Sequence, residues 1–260
     1  MPAIPENYRP ARDLLKDRVI LVTGAGDGLG RAAALTFAQH GATVILLGRT
    51  LKKLEKVYDE IEHGGLPPAL LMPVDLGKVG LAEYEQVAGA INEQFGRLDG
   101  LLHSAAILGN LTPLSMYDLP TWTQVMQVNL NAPYLLTRAC LRVLGKSSDA
   151  SVVFTTSEVA RTGRAYWGAY AVAGSALENL AKVWADELAG SSSIRINTFD
   201  PGAVRTALRN RAYPGEDPTQ LPEPEALMPG YLYLMGPDSR GHSGLALSLP
   251  RSASDTQLKK

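Results

Sequence analysis

A glycine-rich turn, Thr23-Gly24-Ala25-Gly26-Asp27-Gly28-Leu29-Gly30, lies between a short apolar run, Arg18 to Thr23, and a segment of helical spacing from Gly30 to His40. Glycines permit a tight turn and a close backbone approach to a ligand. The first turn of a helix adds unpaired N–H groups and the positive end of the peptide dipole, which together suit a pyrophosphate. Gly24, Asp27, Gly28, Leu29 and Gly30 are therefore read as a phosphate cradle, the alternative being a glycine-rich turn without a ligand. No Gly-Lys-Ser/Thr follows, so a Walker loop is excluded.

In a dinucleotide site of this kind an acidic residue about twenty positions onward holds the ribose 2′-hydroxyl, whereas an Arg suits a 2′-phosphate. The second apolar run, Thr43 to Leu47, continues as Gly48-Arg49, with no carboxylate. Gly48 would not repel a 2′-phosphate and Arg49 could pair with it, which favours NADP(H) and leaves NAD(H) as the alternative cofactor. Arg49 could otherwise merely begin a solvated helix with Lys52 and Lys53.

These groups need a frame. Further strand-length apolar runs occur at Ala69 to Val74, Leu98 to His103, Ser151 to Thr155, Ile194 to Phe199 and Leu245 to Leu249. Segments long enough for helices separate most of them: Leu51 to Glu62, Leu81 to Phe95, Thr121 to Leu144 and Ala165 to Leu188. Strands apolar on both faces belong inside a sheet covered by helices on each side. The pattern predicts an α/β fold: a doubly wound, single-domain Rossmann fold with about seven parallel strands across residues 1–260. Residues 1–15 and 251–260 are expected to be frayed arms. Residues 201–229 hold six prolines and no sustained apolar period, so they read as a long loop and a candidate substrate lid.

With 45% hydrophobic and 20% charged residues, the 260-residue chain can bury a large core. The 25 basic and 26 acidic side chains leave a formal charge of −1, which argues against a nucleic-acid partner. The absence of an apolar block near the start, of a long apolar span, and of a second cysteine beside Cys140 predicts a cytoplasmic protein with no membrane partner and no metal cluster. Cys140 reads as a small buried hydrophobe, and Met116, Met126, Trp122 and Trp184 as core or interface packing.

The Thr-Gly-x-x-x-Gly-x-Gly form of the turn resembles the short-chain dehydrogenase/reductase family, and the resemblance runs from Lys16 to Leu249. Asp75-Leu76 matches the family's adenine contact, and Asn129 its structural and proton-relay Asn. Asp200-Pro201-Gly202 with Thr206 resembles the segment beside the nicotinamide, giving Pro201, Gly202 and Thr206 as cofactor contacts. His103-Ser104-Ala105-Ala106 stands where the family has Asn-Asn-Ala-Gly, so Ser104 and Ala105 are matched to that cofactor loop. Arg164 to Tyr170 and Leu234 to Arg240 look like the bacterial branch of YciK-type oxidoreductases. The resemblance also implies a homodimer or homotetramer, paired through Thr121 to Leu144 and Ala165 to Leu188.

In such enzymes a Tyr exchanges a proton with the substrate oxygen, and a Ser thirteen residues earlier polarises that oxygen; Ser157 and Tyr170 have this spacing. Taken singly, Ser157 reads as a turn cap and Tyr170 as a core tyrosine. The family then places a Lys four residues after the Tyr, one helical turn on, where its charge lowers the Tyr pKa; here that residue is Gly174. Bringing a Tyr from near 10 to about 7 takes ~4 kcal/mol, which Gly174 cannot supply. A mid-helix Gly costs about 1 kcal/mol relative to Ala, and nothing in the sequence gives it a structural reason. His103 at its strand end reads as a buried, hydrogen-bonded group rather than a base.

The resemblance implies an NADP-dependent oxidoreductase acting on a carbonyl or secondary alcohol, weakened at position 174. The alternative is a catalytically inactive, nucleotide-binding homologue acting as a sensor or noncatalytic partner.

Overall fold

The computed structural model describes residues 4–249, so the arm expected at 251–260 lies outside the described residues. Along the chain run β1 (Val19–Thr23), α1 (Gly28–Gln39), β2 (Thr43–Gly48), α2 (Leu51–His63), β3 (Leu70–Pro73), α3 (Leu81–Phe95) and β4 (Gly100–His103). They are followed by α4 (Leu119–Met126), α5 (Ala132–Leu144), β5 (Ser151–Thr155), α6 (Val159–Thr162), α7 (Gly168–Leu188), β6 (Arg195–Asp200), α8 (Ala207–Ala212), α9 (Met228–Met235) and β7 (Ala246–Ser248).

The strands form one seven-stranded sheet in the order β3-β2-β1-β4-β5-β6-β7, with every pairing parallel. Alternate side chains enter cores on opposite faces, as the pleat requires. Ile20, Val22, Val44 and Leu46 pack with Phe37 of α1, Val57 of α2 and Tyr231 of α9. Leu21, Ile45, Leu47 and Val152 pack with Tyr84 of α3, Leu136 of α5 and Trp184 of α7. This is the doubly wound Rossmann arrangement that continuous apolar strands predict. Cys140 lies fully buried on the second face, where burial pushes its thiol up to about 12 and leaves it inert.

Strand order runs outward in both directions from β1, whose two neighbours are β2 and β4, so a crevice opens beyond the carboxyl ends of those strands. At the opposite end of the sheet Asp149 gathers Arg18, Arg195 and Arg240 at 3.2, 3.1 and 3.3 Å. That buried ion cluster sits away from the crevice and holds chain connections together.

The structure departs from the sequence expectations in three segments. Residues 4–15 are docked rather than frayed: Ile4 and Leu15 are buried in the core, and the Tyr8 hydroxyl donates to Asp238 at 2.6 Å. The segment expected as one helix over Thr121 to Leu144 contains a π turn at Gln127–Asn131, where the Ala132 N–H reaches the Gln127 carbonyl. Pro133 accounts for it, because it has no N–H to give the Asn129 carbonyl.

The expected loop at 201–229 contains α8 and two 3₁₀ turns, and runs into α9 at Met228. Thr206 caps α8 by accepting the Arg209 N–H at 3.2 Å. Of the two alternatives for Met116, core or interface packing, its 75% exposure beside the exposed Leu114 and Leu119 removes the core.

Candidate active site

One cleft of about 2180 Å³ runs along the carboxyl ends of the strands and brings the cradle, Arg49, Asp75, Ser157 and Tyr170 to a common space. The cradle is built for glycine at two positions above all. A Cβ on Gly30 would lie 2.3 Å from the Gly24 carbonyl oxygen, and one on Gly24, at φ +69°, would lie 2.9 Å from Ala105 Cα. Nothing larger fits, so backbone N–H groups line a surface to which phosphate oxygens can come close. Leu29 lies on the same surface. Asp27 caps α1 by accepting the Gly28 N–H at 2.8 Å and pairs with Lys53 at 2.5 Å, which holds its carboxyl below the ordinary value.

The β4 loop closes against this turn. Thr23 Oγ1 accepts the N–H groups of Ser104 and Ala105 at 3.1 and 3.2 Å, so the altered His103-Ser104-Ala105-Ala106 stretch still delivers backbone to the cleft. His103 points the other way, bonded to Thr137 Oγ1 at 2.8 Å and stacked on Phe154. Burial pushes its pKa down to about 3, so it stays neutral as a structural group.

Arg49 is exposed on the cleft wall just past β2. Asp75 accepts the Gly77 N–H at 3.1 Å, and Leu76 beside it is buried on the wall. Pro201 and Gly202 continue the wall beyond β6, and the Thr206 methyl reaches the α1 end, 3.3 Å from where a Gly28 Cβ would stand. Asn129 alone of the expected site residues is off the cleft wall. Buried in the π turn, its side-chain amide donates to the Ile107 carbonyl and accepts the Ile107 N–H, both at 2.9 Å, and Ile107 is the residue that faces the cleft.

Ser157 follows β5 and Tyr170 lies in the first turn of α7; the two hydroxyls are hydrogen-bonded. Tyr170 is nevertheless held above its usual value near 10. Burial is the main cause, opposed by the Ser157 bond and reinforced by the Asp200 carboxylate. At neutral pH Tyr170 is therefore a phenol able to donate a proton.

Gly174 has a structural reason after all. The short helix α6 docks on α7, and a Cβ on Gly174 would stand 2.9 Å from the Ala160 methyl. The Ser175 hydroxyl donates to the Ala160 carbonyl and locks the same contact. One residue further, Arg161 donates to Glu178 at 2.5 Å and also to Asp200, whose other oxygen accepts the Gly202 N–H at 2.9 Å. A cation thus stands behind the site, but it is spent on two buried carboxylates.

Sequence reading missed α6, Ala160 and this Arg161-Glu178-Asp200 cluster. The Gly163 residue that ends α6, at φ +58°, was the local signal for the turn, while the Ala160 contact had none.

Beyond Tyr170 the cleft wall carries an apolar patch. Leu108, Val159, Trp167 and Ala212 form a small core with Tyr170, Leu208 and Tyr213. Leu108 and Trp167 line this end; Tyr166 is 61% exposed, held at φ +74°, and absent from the wall.

Comparison with known proteins gives the family and the fold. The short chain dehydrogenase family model matches residues 18–217. An uncharacterized oxidoreductase, YciK, of Escherichia coli K12 is 48% identical over 240 residues, covering 92% of this chain and 94% of its own. The structure of a short chain dehydrogenase from Pseudomonas syringae superposes with a TM-score of 0.92 at 50% identity, over 93% of this chain and 98% of that one. Another, from Shigella flexneri 2a and complexed with NADP, gives 0.87 at 46% identity, over 92% and 99%.

Proposed function

The chain belongs to the short chain dehydrogenase family, and from that premise we propose that it is an NADP(H)-dependent oxidoreductase that reduces a carbonyl group slowly, with Tyr170 as an unassisted proton donor. The observation that carries this reading is the single cleft in which the glycine cradle, Arg49 and the Ser157–Tyr170 pair share one wall. When bound, NADPH supplies the hydride.

The residues of this chain do the rest. Gly24, Gly28 and Gly30 admit the pyrophosphate, with Asp27 and Leu29 shaping the same turn; Asp75 and Leu76 flank the adenine. Arg49 takes the 2′-phosphate. Ser104, Ala105, Pro201, Gly202 and Thr206 confine the nicotinamide end. Ser157 donates a hydrogen bond to the substrate oxygen and Tyr170 passes it a proton, while Asn129 keeps the wall in place through Ile107. Residues 201–229 act as the substrate lid over that end.

Arg49→Glu is expected to reverse cofactor choice. A charge-assisted bond of about 1.5–3 kcal/mol corresponds to roughly 10–100-fold in affinity. Titration calorimetry with NADPH and NADH should show NADPH binding weakened by that factor and NADH binding little changed; a parallel loss of both would refute the assignment.

The reading is tested by following NADPH consumption over a panel of aldehydes and ketones. Slow turnover of some members supports it. Tight NADPH binding with no turnover of any member would instead favour a nucleotide-binding homologue without activity, the reading that Gly174 and its contact with Ala160 support.

A further inference from the structure

The substrate end of the cleft carries a positive group that the reaction does not use. Arg164 lies on the cleft wall and donates from Nη1 to the Tyr213 hydroxyl at 2.9 Å, with its guanidinium 5.6 Å from that ring. Arg209, on the same wall, is neutralised by a two-pronged pair with Glu216 at 2.6 and 2.7 Å. Among the described residues no carboxylate forms a salt bridge with Arg164. Other charges at this end are Glu158, Arg211 and Asp217, the last occupied with the Thr219 N–H and hydroxyl.

The position of Arg164 is built in advance. Arg209 lies over the Tyr213 ring at 3.7 Å and, anchored by Glu216, fixes the phenol that holds Arg164. The turn carrying Arg164 is set by Gly163 and Tyr166, both at positive φ, and by the Thr112 N–H on the Tyr166 carbonyl at 3.2 Å. From Tyr213 the path to the reacting centre runs through Trp167, whose ring lies 5.6 Å from Tyr213 and 5.7 Å from Tyr170. Leu108 and Val159 line the floor of that path. A preorganised guanidinium with spare donors, separated from the catalytic phenol by an apolar aromatic wall, recognises an oxyanion at a distance from the reacting oxygen.

We propose that the substrate is a carbonyl compound with an apolar body and a terminal oxyanion, carboxylate or phosphate, which pairs with Arg164. This rests on the reductase reading for the reaction but not for the binding. The test compares medium-chain keto acids, their methyl esters and keto-alkyl phosphates of matched length, with the natural chain, Arg164→Gln and Arg164→Lys.

In the natural chain the acids or phosphates should exceed the neutral esters in kcat/KM by about 10–100-fold, mostly through KM, with the advantage shrinking as salt rises. Arg164→Gln should erase the advantage, bringing kcat/KM for the acids or phosphates down to that of the esters, and Arg164→Lys should restore part of it. Which anion gains more tells carboxylate from phosphate. Equal use of acids and esters by the natural chain, or an advantage that survives Arg164→Gln, would overturn the proposal.

If nothing is turned over, the same compounds are titrated into the NADPH-loaded protein. Anion-dependent binding lost in Arg164→Gln would sustain the Arg164 site while removing the reductase reading. No preference for the anions in the natural chain would remove the site itself.

Discussion

Gly174→Lys alone is expected to leave turnover near that of the natural chain, whereas Ala160→Gly together with Gly174→Lys should raise it about 10²-fold. The single variant places a Cβ 2.9 Å from the Ala160 methyl, a separation that packed side chains do not tolerate. Either α6 must move off α7 or the new side chain must turn away, and overpacking of this kind costs about 1–3 kcal/mol. That outweighs the gain of about 1 kcal/mol that replacing a mid-helix Gly ordinarily brings.

Removing the Ala160 methyl clears the space one helical turn from Tyr170. A lysine charge there favours the phenolate and lowers its pKa by about 1–3 units. Since a positioned acid or base contributes about 10²–10⁴-fold, a gain near the lower end is the expected share. Steady-state kinetics on both variants, with melting temperatures alongside, decide the matter. Equal gains from the single and double variants would show that the Ala160 contact does not govern the site.

Arg161→Ala should destabilise the fold by about 3–5 kcal/mol, because it strands two buried carboxylates, Glu178 and Asp200, beside each other. The effect is not confined to stability. Asp200 holds the Gly202 N–H, so the start of the nicotinamide-flanking segment loses its anchor and NADPH affinity should fall as well. Arg161→Lys keeps a charge but not the two-armed reach to Glu178 and Asp200, so it should recover only part of the loss. Urea unfolding midpoints together with NADPH titrations test this. Wild-type stability in Arg161→Ala would mean that the two carboxylates find other partners.

Much of this architecture was legible in the residues. Runs such as Val19–Thr23 and Ser151–Thr155 are apolar on both faces, and only a covered sheet buries both. Their order with the intervening helices then leaves few topologies. The cradle was legible for a local reason: Gly24 and Gly30 are demanded by backbone contacts within the turn and with the neighbouring strand's loop.

What escaped was tertiary. The helix α9 contains Pro229 and Gly230 and is apolar on nearly every side, so no periodic stripe marks it. The four-residue α6 is too short to show a period. Gly174 read as an unexplained loss because its reason is a methyl group at position 160, fourteen residues earlier, meeting it across two helices. The π turn followed from Pro133, but only the folded helix shows that the register shift puts Asn129 against Ile107.

That Tyr170 works as a partly buried phenol without a neighbouring cation can be read from the pH dependence of the rate in each direction. Reduction needs the protonated phenol, and burial raises the pKa above its usual value near 10, so its rate should be flat from about pH 6 to 9 as far as Tyr170 is concerned. Oxidation of the corresponding alcohol needs the phenolate, so its rate should climb about tenfold per pH unit through the same range without a plateau. The Ala160→Gly, Gly174→Lys double variant should bring that climb to a plateau at lower pH. A natural protein whose oxidation rate already levels off near neutral pH would contradict the account, because it would mean that some group other than residue 174 supplies the missing charge.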